Sequence, residues 1–285
     1  MKKLLGAFWR ICVLTIVYFI VNSILGILLP LSNDMMANMT SNDQALFFPL
    51  FLLNAFINML VLYLLLKNMR FRGWKLFLSV WLTMAGLMSI MNCIELYWFN
   101  DAFPLFTYLD VTRMILTAIG AYGAAALAGM GLVKGFKREE QPRLTRFDTG
   151  KWGWKLLTFC VAYAFFYFAC GFIPWLLFPE VSEFYASWAL APNNAVLILF
   201  NVFRGALWLL FSTPILIGVQ PRKKVFWLLP LALNTGTAIA TIIPVGRDAW
   251  HNTAGTFYRT GFLHDHRRPL CCLVLCEIQH TNGVI

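Results

Sequence analysis

Residues 46–98 read LFFPLFLLNAFINMLVLYLLLKNMRFRGWKLFLSVWLTMAGLMSIMNCIELYW. Two continuously apolar runs, 46–66 and 76–98, flank a short connection that carries Lys67, Arg70, Arg72 and Lys75. A hydrocarbon layer of about 30 Å is crossed by roughly 20 helical residues at about 1.5 Å each, and both runs reach that length. Neither alternates apolar with polar at period two, so a helix is expected rather than a barrel strand; a helix also satisfies its own backbone polar groups in lipid. The same unit recurs along the chain, with further runs near 8–30, 112–133, 154–178, 194–219 and 224–243. The expected fold class is an all-α integral membrane protein, a polytopic bundle of seven transmembrane helices over residues 1–245, followed by an anomalous tail, 246–285.

Composition agrees with that class. Of the 285 residues, 60% are apolar, 16% aromatic and only 13% charged, whereas soluble domains carry roughly 25% charged residues. Lys2 and Lys3 ahead of the first apolar run give the start the form of a signal peptide. The run is longer than a signal h-region and no small-residue cleavage site follows it, so a retained first helix is expected.

Charge sorts the connections into two kinds. Lys2, Lys3 and Arg10, then Lys67 to Lys75, then Lys134, Lys137, Arg138, Arg143, Arg146, Lys151 and Lys155, then Arg222, Lys223 and Lys224 occupy every second connection. The others hold Asp34 and Asp43, Asp101 and Asp110, and Glu180 and Glu183, with Arg113 the one basic exception. Basic residues mark the cytoplasmic side, so the N-terminus is expected in the cytoplasm of a plasma membrane, and the short loops suggest a prokaryotic one. The net charge of +10 is then accounted for by insertion and anionic lipid, not by nucleic acid. Trp152, Trp154 and Trp175, near span ends, read as interfacial belt residues.

The tail differs from everything before it. His251, His264, His266 and His280 are the chain's four histidines, and Cys271, Cys272 and Cys276 supply three of its seven cysteines. One reading is a zinc site, although the spacing matches no standard module. A second is a disordered tail. A third is a coding frame that slips near codon 246: one nucleotide forward, each of the three cysteine codons becomes Val or Ala, the histidine cluster turns apolar or hydroxylic, and an eighth span forms that ends on a basic residue.

Ionisable groups inside a span are costly and are candidates for function. Glu95 lies about one turn from the outer end of the third span, and Arg204 about 15 Å inside the outer end of the sixth at helical rise. Arginine can snorkel toward the carboxylate, for which Arg113 competes. Asn92 precedes Glu95 by three, Asn201 precedes Arg204 by three, Asn54 and Asn58 are four apart, and Asn234, Thr237 and Thr241 form one stripe of the seventh span. Each set falls on one helical face. Together they would line a cavity open to the outside, with Glu95 carrying a proton and Arg204 binding an anionic group or holding Glu95 ionised.

The fourth span presents Ala121, Ala125 and Gly129 as a small-residue face suited to internal packing or to a dimer seam. Pro230, one turn before Asn234 and Gly236, marks the seventh span as a candidate for bending. The chain before residue 246 has no histidine, no phosphate loop and no metalloprotease or nucleophile-elbow motif, and Cys12, Cys93, Cys160 and Cys170 read as small apolar residues. No cofactor is expected. The functional reading is a membrane protein that binds or moves a small solute through an outward-facing polar pocket. The alternatives are a non-enzymatic assembly protein braced by a Glu–Arg pair, and an enzyme acting on lipid with Glu95 as base.

Overall fold

A computed structural model describes residues 2–32, 41–98, 107–137, 139, 149–177 and 194–238. Among the described residues the chain is helical and forms no strand: α1 (Lys2–Leu28), α2 (Ser41–Asn68), α3 (Gly73–Trp98), α4 (Tyr108–Leu132), α5 (Thr149–Leu177), α6 (Asn194–Gly218) and α7 (Val225–Ala238). Each expected span overlaps one of these helices over its described residues. Five of them, α1, α2, α3, α4 and α6, are long and apolar enough to cross a membrane. In α5 the described apolar stretch is the shorter Gly153–Ala169, and α7 has 14 residues. Thr241 and the tail 246–285, with its metal, disorder and frame readings, lie outside the described residues.

The core sits between α2, α3 and α4. Met59, Leu62, Leu65 and Leu66 of α2 meet Leu76, Val80, Met84, Leu87 and Met91 of α3 and Ala121, Ala125 and Met130 of α4, all fully buried. From α1 come Ile11, Leu14, Thr15 and Tyr18, which share one helical face. The opposite side of α1 exposes Ile16, Ile20, Ile24 and Ile27, so this helix is apolar all round. The small-residue face of α4 packs inside the bundle: Ala121 and Ala125 are buried, and Gly129 faces Leu14, Leu62 and Leu66. Trp81 of α3 donates its indole N–H to the Ile119 carbonyl of α4 at 2.8 Å. Helix α7 runs unbroken through Pro230 to Ala238.

Each end of the bundle is tied. At one end the Arg70 N–H donates to Gly218 O (2.8 Å) and the Gln220 N–H to Asn68 O (3.2 Å), bridging the α2–α3 and α6–α7 connections. Lys224 Nζ donates to Asn68 Oδ1 at 2.7 Å, and the Gly73 N–H to Gly135 O at 3.0 Å. Three connections of the basic kind thus lie side by side.

At the other end Asp110, fully buried, gathers the start of α4 and the end of α1. Its Oδ2 accepts from the Thr107 N–H (2.9 Å) and hydroxyl (2.7 Å), and its Oδ1 from the Ser32 N–H (2.7 Å) and hydroxyl (2.8 Å). The Asp110 N–H returns to Thr107 Oγ1, which completes a capping box. Arg113 is held here too, donating to Pro30 O at 2.6 Å and lying 3.5 Å from Asp110 Oδ1. Asp110→Asn replaces one charge-assisted acceptor oxygen by a donor aimed at other donors. It is expected to cost about 2 kcal/mol in detergent unfolding, and an unfolding temperature equal to the parent's would show that the clamp carries no stability.

Candidate functional site

Glu95 stands near the C-terminal end of α3, beyond a π-helical turn over Gly86–Ile90 in which the Met91 N–H reaches back five residues to Gly86 O. Such a turn inserts an extra residue and re-aims the helix face that follows it. Arg204 Nη1 donates to Glu95 Oε1 at 3.2 Å and Nη2 to Oε2 at 2.7 Å. This two-point fork is the arrangement that the planar guanidinium makes best. Burial across the pair is uneven: the Arg204 side chain is 6% exposed and that of Glu95 37%.

Helix α5 contributes the third wall. Its Tyr167 hydroxyl lies 3.5 Å from Glu95 Oε1, and its ring sits 5.2 Å from the Arg204 guanidinium. Phe200, one turn before Arg204, covers the guanidinium from 5.7 Å and stacks on Trp98 at 4.1 Å. Aromatic faces stabilise a cation removed from water. The approach of α5 depends on Gly205, where a Cβ would stand 3.1 Å from Cys160 Cα and 3.2 Å from Cys160 O. One turn on, Trp208 donates to the Tyr163 hydroxyl at 3.1 Å, which continues the α5–α6 seam.

Asn201 is fully buried beside Arg204 on α6. Its amide N–H donates to Leu197 O at 3.0 Å, which settles the orientation of the amide and leaves Oδ1 without a partner; Arg204 Nε is likewise buried and unpaired. One buried acceptor and one buried donor therefore stand one turn apart behind the ion pair.

Of the candidate residues, the structure brings Glu95 and Arg204 together, with Asn201 behind and the half-buried Asn92 one turn before Glu95. Arg113 does not compete, because it is committed to Pro30 and Asp110. Asn54 and Asn58 belong to a second cluster. Asn58 Nδ2 donates to Asn54 Oδ1 (3.1 Å) and to the Tyr122 hydroxyl of α4 (3.2 Å), and the Tyr122 ring lies 5.0 Å from that of Tyr18 on α1. The polar stripes thus join different helix pairs. Asn234 and Thr237 lie on α7, and their side chains are outside the described residues.

Sequence reasoning missed Tyr163, Tyr167, Phe200 and Trp208. Tyr163 and Tyr167, four apart in an apolar span, were an available sign of one helical face with hydroxyls to place. Among the described residues no three His, Cys, Asp or Glu side chains are grouped to hold a metal ion. Both Glu95 oxygens are already engaged, which suits a clamp or a recognition element better than a base. Comparison with protein families, with curated proteins and with solved structures returns no match.

Proposed function

We propose that this chain is a multi-pass membrane protein with seven spans and a cytoplasmic N-terminus, seated in a prokaryotic plasma membrane, that binds or moves a small anionic solute at Arg204. Five apolar helices with outward apolar faces and the alternation of mainly basic with mainly acidic connections support the membrane reading. The observation that carries the functional reading is the uneven Glu95–Arg204 pair: a guanidinium buried under aromatic rings, closed by a carboxylate still 37% exposed. An intramembrane cation is expensive and is kept where it has work to do. Glu95 occupies the position that a solute carboxylate or phosphate would take, so solute and Glu95 compete for one fork.

The test is thermal stability of the detergent-purified chain against acetate, succinate, glutamate and inorganic phosphate. At least one should raise the unfolding temperature of the parent and of Glu95→Gln, the variant responding at lower concentration, while Arg204→Lys should lose the response. Absence of any response in parent and Glu95→Gln alike would remove the solute reading.

The bidentate geometry favours a second reading, in which the pair only orients α3 against α6 in an assembly protein. Under it Glu95→Arg combined with Arg204→Glu restores the stability lost by either single change, and no solute acts.

A further inference from the structure

The three connections of the basic kind make a defined surface. The Gly73 N–H to Gly135 O bond brings the start of α3 against the turn that follows α4. There Trp74 packs edge-on against Phe136 at 5.6 Å and against Phe77 at 5.4 Å. Both outer rings remain open to the surroundings, Trp74 at 63% and Phe136 at 48% exposure. Arg72, Lys75, Lys134 and Lys137 are exposed around them, and the neighbouring α6–α7 connection adds Lys223. Lys134 takes the left-handed φ of 54° that glycine or asparagine adopts more readily, and its turn is closed by the Gly135 N–H on Met130 O at 2.8 Å. Glu139 is the one acidic residue among the described residues of these connections.

We propose that this end of the bundle is a binding site for the headgroup of an anionic phospholipid, with phosphodiester oxygens on Arg72, Lys134 and Lys137 and the glycerol and upper acyl chain against Trp74 and Phe136. Two aromatic rings exposed together beside cations suit the bilayer interface, where an apolar ring edge and a charged head lie within a few ångströms of each other. Anionic lipid attracts each basic residue near the surface. Backbone hydrogen bonds between connections distant in sequence hold these cations around one aromatic pair, so the site depends on particular residues and not on net charge alone. The proposal rests on the membrane reading above.

The test titrates the full chain, purified in neutral detergent, with phosphatidylglycerol, phosphatidylcholine or inorganic phosphate, and reads bound lipid by native mass spectrometry. Phosphatidylglycerol should bind about tenfold more tightly than phosphatidylcholine, and added salt should weaken it. Arg72→Gln, Lys134→Asn and Lys137→Gln together should remove most of that preference. Lys2→Gln, Lys3→Gln and Lys155→Gln, which delete as many charges elsewhere, should leave it intact. Equal binding of the two lipids by the parent, equal loss in the two triple variants, or displacement of the lipid by equimolar inorganic phosphate would each overturn the site. If the first triple variant does not fold, Lys134→Asn alone, which keeps a residue suited to the left-handed backbone there, should lower the preference, and an unchanged preference in it would overturn the site. A chain recovered in the soluble fraction without detergent would instead sink the membrane reading on which the site rests.

Discussion

Glu95→Leu is expected to destabilise the detergent-purified protein by about 3 kcal/mol, near the lower end of the range for breaking a buried pair. The substitution leaves the Arg204 guanidinium 6% exposed with no carboxylate to face. Arg204 Nε already lacks a partner, so the loss falls on a group with no reserve of hydrogen bonds. Tyr167 and Phe200 keep part of the cation's stabilisation, which is why the cost stays at the low end. The converse variant, Arg204→Met, is expected to cost less, because the carboxylate it strands is 37% exposed and can hydrate. Unfolding temperatures of the two variants, measured side by side in one detergent, check the asymmetry. A larger loss for Arg204→Met would mean that Glu95, not Arg204, is the group that cannot find water.

Gly86→Val is expected to cost about 3 kcal/mol through overpacking. A Cβ at position 86 would stand 2.2 Å from both Cγ and Cδ1 of Phe211, the root of that ring and not its free edge, so turning the ring about its own axis cannot clear it. The α6 backbone is held at the same level by the Thr83 hydroxyl, which donates to Phe211 O at 3.1 Å. Either the ring leaves the core or α3 and α6 separate. Separation would lengthen the Glu95–Arg204 contact beyond the turn, so Gly86→Val should also blunt any solute response that Arg204 supplies. Phe211→Ala added to Gly86→Val should recover part of the lost stability. No recovery in the double variant would mean that the π-turn, not the Phe211 contact, is what position 86 protects.

These two expectations differ in how much of them can be read before folding. Glu95 and Arg204 stand out in the sequence because a charge in a long apolar run is rare and costly, and the i, i+3 spacing puts Asn92 and Asn201 on their faces. Nothing in the sequence marks Gly86 among the chain's 19 glycines, or signals that the third span widens into a π-turn there. Arg113 shows the same limit. By sequence it competes with Arg204 for Glu95, but the fold gives it Pro30 O and Asp110 instead. Asp110 itself read only as one more acidic residue in a loop, yet it accepts four hydrogen bonds from Ser32 and Thr107.

Helix, length and the sorting of basic from acidic connections follow from local composition, because each depends on a continuous stretch of side chains and on the short-range period of the helix. Rotation of each helix about its axis and the choice of neighbour depend on how whole surfaces interlock, and no local window contains that information. The polar stripes make the point. Spacing alone put Asn54 and Asn58, Glu95, and Arg204 at comparable depth in one imagined cavity. Packing sent the asparagines to Tyr122 on α4 and the charges to each other across α3 and α6. Close approach at Gly205 then brought Tyr167 to cover the pair, a contact that exists only because two helix backbones meet where one side chain is missing.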